Sequence, residues 1–206
     1  MTDSMPTPEP PALVEGQDGL KRCAWANPAQ PDYVAYHDTE WGQPVHGEQR
    51  LFERLTLEAF QSGLSWLTIL RKRDNFRAAF AYFDADVVAR FGEAEVEQLM
   101  GNAGIVRNQR KIRATITNAR AVQDLRQHAG LDATFWGAKP AEHTRPKNGA
   151  QALASTPESA ALAKTLKKAG FAHLGPVTLY AAMQACGVVD DHFAGCFRAL
   201  GSELTS

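Results

Sequence analysis

The chain reads as an all-α protein. From Gly47 onward its apolar residues recur at helical spacing nearly throughout. No segment alternates with period two for long enough to form a half-buried strand. Proline and glycine stand where helices begin and end.

Residues 1–19 come first, with Pro6, Pro8, Pro10 and Pro11, the acids Asp3, Glu9, Glu15 and Asp18, and no base. They read as a flexible tail that cannot bury enough surface to order itself, and they lack the basic and apolar regions of a leader. Leu51, Phe52, Leu55 and Ala59 form the apolar stripe of a first helix. Trp66, Ile69, Leu70, Phe76 and Phe80 give a second, continuous or broken. Asp84 and Glu93 precede two short helical segments, Val87–Phe91 and Val96–Met100. Ile105, Ile112, Ile116 and Ala119 mark a long helix. His128–Ala154 holds Gly137, Pro140, Pro146 and Gly149 with little periodicity and reads as an irregular connection. Thr156 then serves as an N-cap, with Pro157 at the first helical position and Gly170 as the stop; Gly175-Pro176 to Gly187 repeats that punctuation. Residues 20–206 are expected to form a single domain, tightly two-lobed at most.

Hydrophobic residues make up 44% of the 206-residue chain and charged residues 22%, values of a soluble globular protein. No stretch approaches the ~20 consecutive apolar residues of a bilayer span. The net charge of −1 excludes a strongly basic DNA-wrapping protein. Without residues 1–19, however, 22 basic side chains face 19 acids, so the folded part is slightly basic. Three cysteines argue against a secreted disulfide framework and leave metal ligation or plain burial. The reduced thiols and the lack of a leader point to a cytoplasmic protein.

Four potential metal ligands lie at the two ends: Cys23 and His37 early, His192 and Cys196 late. The late pair is spaced i, i+4 in a segment that can start a helix at Asp190 or Asp191, which would project both from one face. Two thiolates and two imidazoles make a closed set for Zn²⁺, a staple between the chain's ends rather than a catalytic metal. A core cysteine and a capping histidine remain open alternatives, and Cys186, inside an apolar run, reads as buried.

Glu58 follows Leu51 and Leu55 by seven and three residues, so it rides on or beside the first helix's apolar stripe. An inward carboxylate must find donors or give up its charge, and functional sites retain that cost. The alternative is a Glu at the stripe's edge paired with Arg54 or Arg50. Trp25, Tyr33, Tyr36 and Trp41 crowd the N-terminal segment and Trp66 opens the next helix; such rings serve either a core or the stacking of an extruded base. Arg107, Arg110, Lys111, Arg113 and Arg120 occur with no acid between them. Val96–Met100, the turn Gly101–Gly104 and the long helix together outline a helix-hairpin-helix, whose second N-terminus can hold a DNA phosphate. Arg71, Lys72, Arg73, Lys167 and Lys168 are further candidates for phosphate contact, against the alternative of a solvated helix face.

Taken together, these residues resemble the type I 3-methyladenine DNA glycosylases. The strings that carry the likeness are Arg22–Trp25 (RCAW), Ala35–Gly42 (AYHDTEWG), Leu57-Glu58, Gln61 with Gly63–Trp66 (GLSW), Ala103–Ile105 with Lys111-Ile112, Leu166–Lys168 with Gly170-Phe171, Met183–Gly187 (MQACG), and Asp191-His192 with Gly195-Cys196. They run in the family's order over nearly all of the chain beyond the tail. The resemblance implies a two-lobed helix-hairpin-helix fold with structural zinc on Cys23, His37, His192 and Cys196. It implies base recognition by Glu58, Tyr36 and Trp66, with Trp25 and Tyr33 lining the same pocket and Leu64 wedging into the vacated stack. The implied activity is hydrolytic release of 3-methyladenine from alkylated double-stranded DNA, by a monomer and with no strand-cleaving lyase step. The pattern departs at Ala59-Phe60, where some members have Gly-Gln, and at Gly175–Val177, which replaces a Gly-Thr-Thr-like string.

Overall fold

A computed structural model describes residues 11–199. The chain divides into two compact units. A terminal unit takes residues 11–40, 144–152 and 190–199 of the described chain; a helical unit takes Trp41–His143 and Leu153–Val189.

The terminal unit departs most from the expectation. Strand β1 (Leu13–Glu15) pairs antiparallel with β2 (Lys21–Cys23), in the register Leu13 to Cys23, Val14 to Arg22 and Glu15 to Lys21. The connecting turn closes through Gly19 at φ 75°, a left-handed position that glycine takes without strain. Part of the expected 1–19 tail is therefore a hairpin, while residues 1–10 lie outside the described residues. Three-residue strands are too short for an alternating pattern to show, which is why none was expected. Helix α1 (Pro31–Thr39) starts on a proline in its first turn. The segment 190–199 contains no helix; Cys196 N–H turns back to the carbonyl of Phe193, and Gly195 sits at φ 88°. The expected helix through His192 and Cys196 is thus replaced by turns, because Gly195 leaves the right-handed region between the two residues. Arg22 organises the unit's polar interior. Its guanidinium donates to Asp18 at 2.6 Å and to Asp38 at 2.7 Å while lying over the Phe197 ring.

The helical unit contains α2 (Glu48–Gln61), α3 (Trp66–Ala79), a 3-10 turn at Ala81–Phe83, α4 (Ala85–Val88), α5 (Glu93–Gly101), α6 (Gln109–Leu125), α7 (Gly130–Trp136), α8 (Pro157–Lys168) and α9 (Pro176–Ala185). Side-chain caps set several starts: Ser65 accepts from Thr68 N–H, Asp84 from Val87 N–H, Asn108 from Lys111 N–H and Thr156 from Ser159 N–H. The Asp84 cap starts α4 two residues before the expected segment. Helix α7 was not expected at all. Only Leu131 and Phe135 turn its face inward, too few for a periodic signal in a glycine- and proline-rich stretch. Helix α2 is the centre of the unit and packs on α3, α6, α7 and α9. The phenylalanines 52, 60, 76, 80, 83 and 135 are fully buried around it. At Gly187, φ 73°, a Cβ would lie 2.6 Å from the Gly42 carbonyl oxygen, so only glycine lets the chain after α9 pass that close. No helix among the described residues is long and apolar enough to cross a membrane.

Candidate active site and metal centre

Residues Arg54–Phe60 of α2 are buried without interruption, so the helix is enclosed on every side over nearly two turns. Glu58 lies within this stretch with only 5% of its surface exposed. Burial disfavours the carboxylate and pushes the Glu58 pKa up to about 8, against the opposing pull of the Arg54 cation. The expected inward carboxylate is therefore present, and Arg54 is the charge that acts on it.

The chain leaves α2 through a turn held from three directions. Gly63 takes φ 81°, and Gln61 Nε2 donates to the Leu64 carbonyl at 3.1 Å. Lys111 reaches across from α6 to donate to the carbonyls of Phe60 at 2.9 Å and Ser62 at 2.7 Å, covering the open C-terminal end of α2. Leu64 stands on this turn 40% exposed. Trp66 is the first residue of α3 and packs, partly buried, against that core.

Tyr36, Tyr33 and Trp25 belong to the terminal unit and are brought together there. The Trp25 and Tyr33 ring centroids lie 5.2 Å apart, and Tyr33 and Tyr36 stack at 6.5 Å. Tyr36 is almost fully buried.

Three of the four expected metal ligands converge in the same unit. The donor atoms of Cys23, His37 and Cys196 all lie within 4.8 Å of one another, and all three residues are buried. Cys196 Sγ is 3.4 Å from His37 Nε2. The fourth, His192, is adjacent and buried; its ring meets that of His37 edge-on at 5.2 Å. The sequence reading missed two carboxylates here. His37 Nδ1 is 2.8 Å from Asp38 Oδ1, and His192 Nδ1 is 2.8 Å from Asp190 Oδ1. Holding each Nδ1 on a carboxylate orients the ring and leaves Nε2 to coordinate, the usual surroundings of a metal-bound histidine. Their signal was present as acids one residue after His37 and two before His192. A hydrogen bond from Cys23 and the facing His37 draw Cys196 towards thiolate, the form that ligates. Two sulfurs with oriented imidazoles are a soft, compact donor set that fits zinc.

The basic run divides. Arg113 forks onto Glu93 at 2.6 Å, Arg120 donates to the Ala89 carbonyl at 3.0 Å, and Lys111 is committed to the end of α2. Lys72 likewise donates to the carbonyls of Ala103 and Gly104. Arg107 and Arg110, and Lys167 and Lys168 at the end of α8, are exposed. Part of the expected basic surface thus also makes intramolecular contacts, while Arg113 and Arg120 stay exposed.

Residues 25–199 match the methyladenine glycosylase family. The chain is 43% identical over 180 residues to DNA-3-methyladenine glycosylase 1 of Escherichia coli (strain K12), covering 86% of this chain and 96% of that one. It resembles a crystal structure of 3-methyladenine DNA glycosylase I with a TM-score of 0.83 at 44% identity, over 86% of this chain and 99% of the other. A structure of 3-methyladenine DNA glycosylase I from Staphylococcus aureus, solved for its recognition of 3-methyladenine, aligns with a TM-score of 0.76 at 30% identity, over 81% and 90% of the two chains. With the match spanning both units, the chain belongs to the methyladenine glycosylase family.

Proposed function

We propose that this chain is a DNA-3-methyladenine glycosylase acting in base-excision repair of alkylated double-stranded DNA. Family membership supports the activity, and the buried Glu58 carboxyl on α2 is the observation that carries the mechanism. Methylation at N3 leaves the base positively charged. When the C1′–N9 bond breaks, its electron pair goes to the base, which departs neutral as free 3-methyladenine. Water bonds to C1′ and releases a proton, leaving an abasic site. A cationic base is already a good leaving group, so selection rather than acid catalysis is the protein's main task.

Glu58 makes that selection. In the empty protein at neutral pH its carboxyl is largely protonated; a cation placed against it draws the proton off and is held as an ion pair. Neutral adenine offers no such gain. Trp66 stacks on the charged ring, an attraction strengthened by the charge, and Tyr36 hydrogen-bonds the polar edge. Trp25 and Tyr33 are assigned to the same base. Leu64, exposed on its braced turn, fills the gap left when the nucleotide swings out, at a cost of a few kcal/mol that a lesion reduces. Helices α5 and α6 with their turn are read as a helix-hairpin-helix, the free N–H groups at the start of α6 and the exposed Arg107 and Arg110 meeting the DNA backbone. Cys23, His37, Cys196 and His192 would hold zinc, which when bound crosslinks the chain's two ends and takes no part in hydrolysis. The two units act as one catalytic domain, in a monomer. Lys111, already donating to two carbonyls, is no free amine for a strand-cleaving step, and the enzyme is read as monofunctional.

Chromatography of bases released from N3-methylated DNA tests this reading. The wild-type protein should release 3-methyladenine, and Glu58→Gln should reduce the rate about 10²–10³-fold while keeping the fold. No release by the wild type would sink the activity. Undiminished release by Glu58→Gln would sink the role of the carboxylate alone.

A further inference from the structure

Among the described residues of the helical unit, the buried side chains that carry formal charge are Arg54 and Glu58. They have opposite signs and stand four residues apart on α2, so they share one face of a helix enclosed on all sides. Taking a guanidinium out of water is costly, and packing alone would be better served by leucine or methionine. Arginine does not lose its proton in proteins, whereas the charge on Glu58 is conditional. One partner is therefore a fixed charge and the other a variable one.

We infer that Arg54 is a positioning residue for base release, the built-in cation that keeps Glu58 able to become an anion when the charged base arrives. The inference rests on the proposed glycosylase reading for its consequence in catalysis. Other groups packed around α2 do not supply this charge. Cys186, which caps α9, stays a neutral thiol because burial pushes its pKa up to about 12. Arg77 of α3 is taken up by Glu53 at 2.8 Å, and Lys111 of α6 by the carbonyls of Phe60 and Ser62. His46 and Asp132 of α7 meet at the first turn of α2, where Asp132 also accepts from Gly47 N–H. Arg126 of α6 is paired with Glu48 and with Asp86 of α4. Arg50, one turn before Arg54, acts on Cys186 but is exposed to solvent. Arg54 also repels the base, but it stands a helical turn from the carboxylate that meets it, so the nearer attraction prevails.

The test follows the side-chain carboxyl carbon of Glu58 by ¹³C NMR in the DNA-free protein, assigned by its loss in Glu58→Gln. Arg54→Met should move the titration midpoint of Glu58 upward by about one pH unit or more, and Arg54→Lys should leave it near the wild-type value. If Arg54→Met fails to fold, Arg54→Gln carries the same expectation. In base-release assays the acid limb of kcat/KM should rise by the same interval, with activity recovering at high pH. An unmoved or lowered midpoint, or a loss of activity equal at every pH, overturns the inference. Because the titration needs no DNA, a shifted midpoint in a protein that releases no base would refute the glycosylase reading and leave the coupling standing.

Discussion

The terminal unit buries Arg22, His37, Asp191 and His192 beside Cys23 and Cys196, and among the described residues the buried members of its apolar cluster are Cys23, Phe193, Cys196 and Ala199. The helical unit surrounds α2 with phenylalanine, leucine and isoleucine from its other helices, and its buried acidic and basic side chains are Glu58 and Arg54. An apolar cluster as small as the first contributes little against the entropy of ordering a chain, and small units of that kind commonly rely on ion pairs, metals or crosslinks. A core as continuous as the second contributes more, and it is then able to tolerate an energetically costly buried carboxyl. Polar burial thus takes two forms: a cluster of thiols, imidazoles and ion pairs in one unit, and one acid and one base inside an apolar core in the other.

The largest effect that bears on this contrast should come from metal removal. The purified chain is expected to contain one zinc by atomic spectroscopy. Chelation, or Cys196→Ser, should unfold the terminal unit, lower Tm strongly and abolish base release, since structural zinc in small domains contributes on the order of 10 kcal/mol. Full activity and an unchanged Tm after verified metal loss would show that the terminal unit coheres without it.

A smaller effect concerns the helical unit and pH. Glu58 holds its proton more tightly folded, with a pKa of about 8, than the ordinary value of 4.5. Its contribution to stability is thus fully present below about pH 4.5 and is lost as pH rises towards 8. Urea unfolding at pH 5 and pH 9 should show Glu58→Gln gaining on the wild type by a few kcal/mol at the higher pH. Equal differences at both pH values would mean that Glu58 titrates normally. The smallest effect is expected at Leu64. Replacing it with alanine should change stability by no more than about 0.5 kcal/mol, because it is exposed, yet reduce kcat/KM about tenfold if it fills the vacated base stack.

How much of this was legible depends on what each feature needs from the rest of the chain. The long helices were readable because Leu51, Leu55 and Ile112, Ile116 repeat their spacing over several turns, and α8 because Thr156, Pro157 and Gly170 mark both of its ends. Glu58 stood out as an acid beside an apolar stripe, and its burial followed. The β1–β2 hairpin and α7 are too short for periodicity to register. The segment through His192 and Cys196 keeps both side chains near His37 but forms no helix, since their spacing resembles a helical turn while Gly195 takes a left-handed φ of 88°. The least legible feature was the fate of the cations. Sequence does not tell an arginine without an intramolecular partner from the exposed Arg120, which donates to a carbonyl 31 residues away, or from Arg113, bound to Glu93.

The lysine that joins α6 to the end of α2 has a mechanical consequence. Because Lys111 grips the backbone oxygens of Phe60 and Ser62 just before Gly63, Leu64 is mounted on an anchored pedestal rather than a loose tip. If Leu64 is the wedge proposed above, a prow already held rigid would enter a base stack without first having to be immobilised, so the work of parting the bases would not be increased by the work of stiffening the tool.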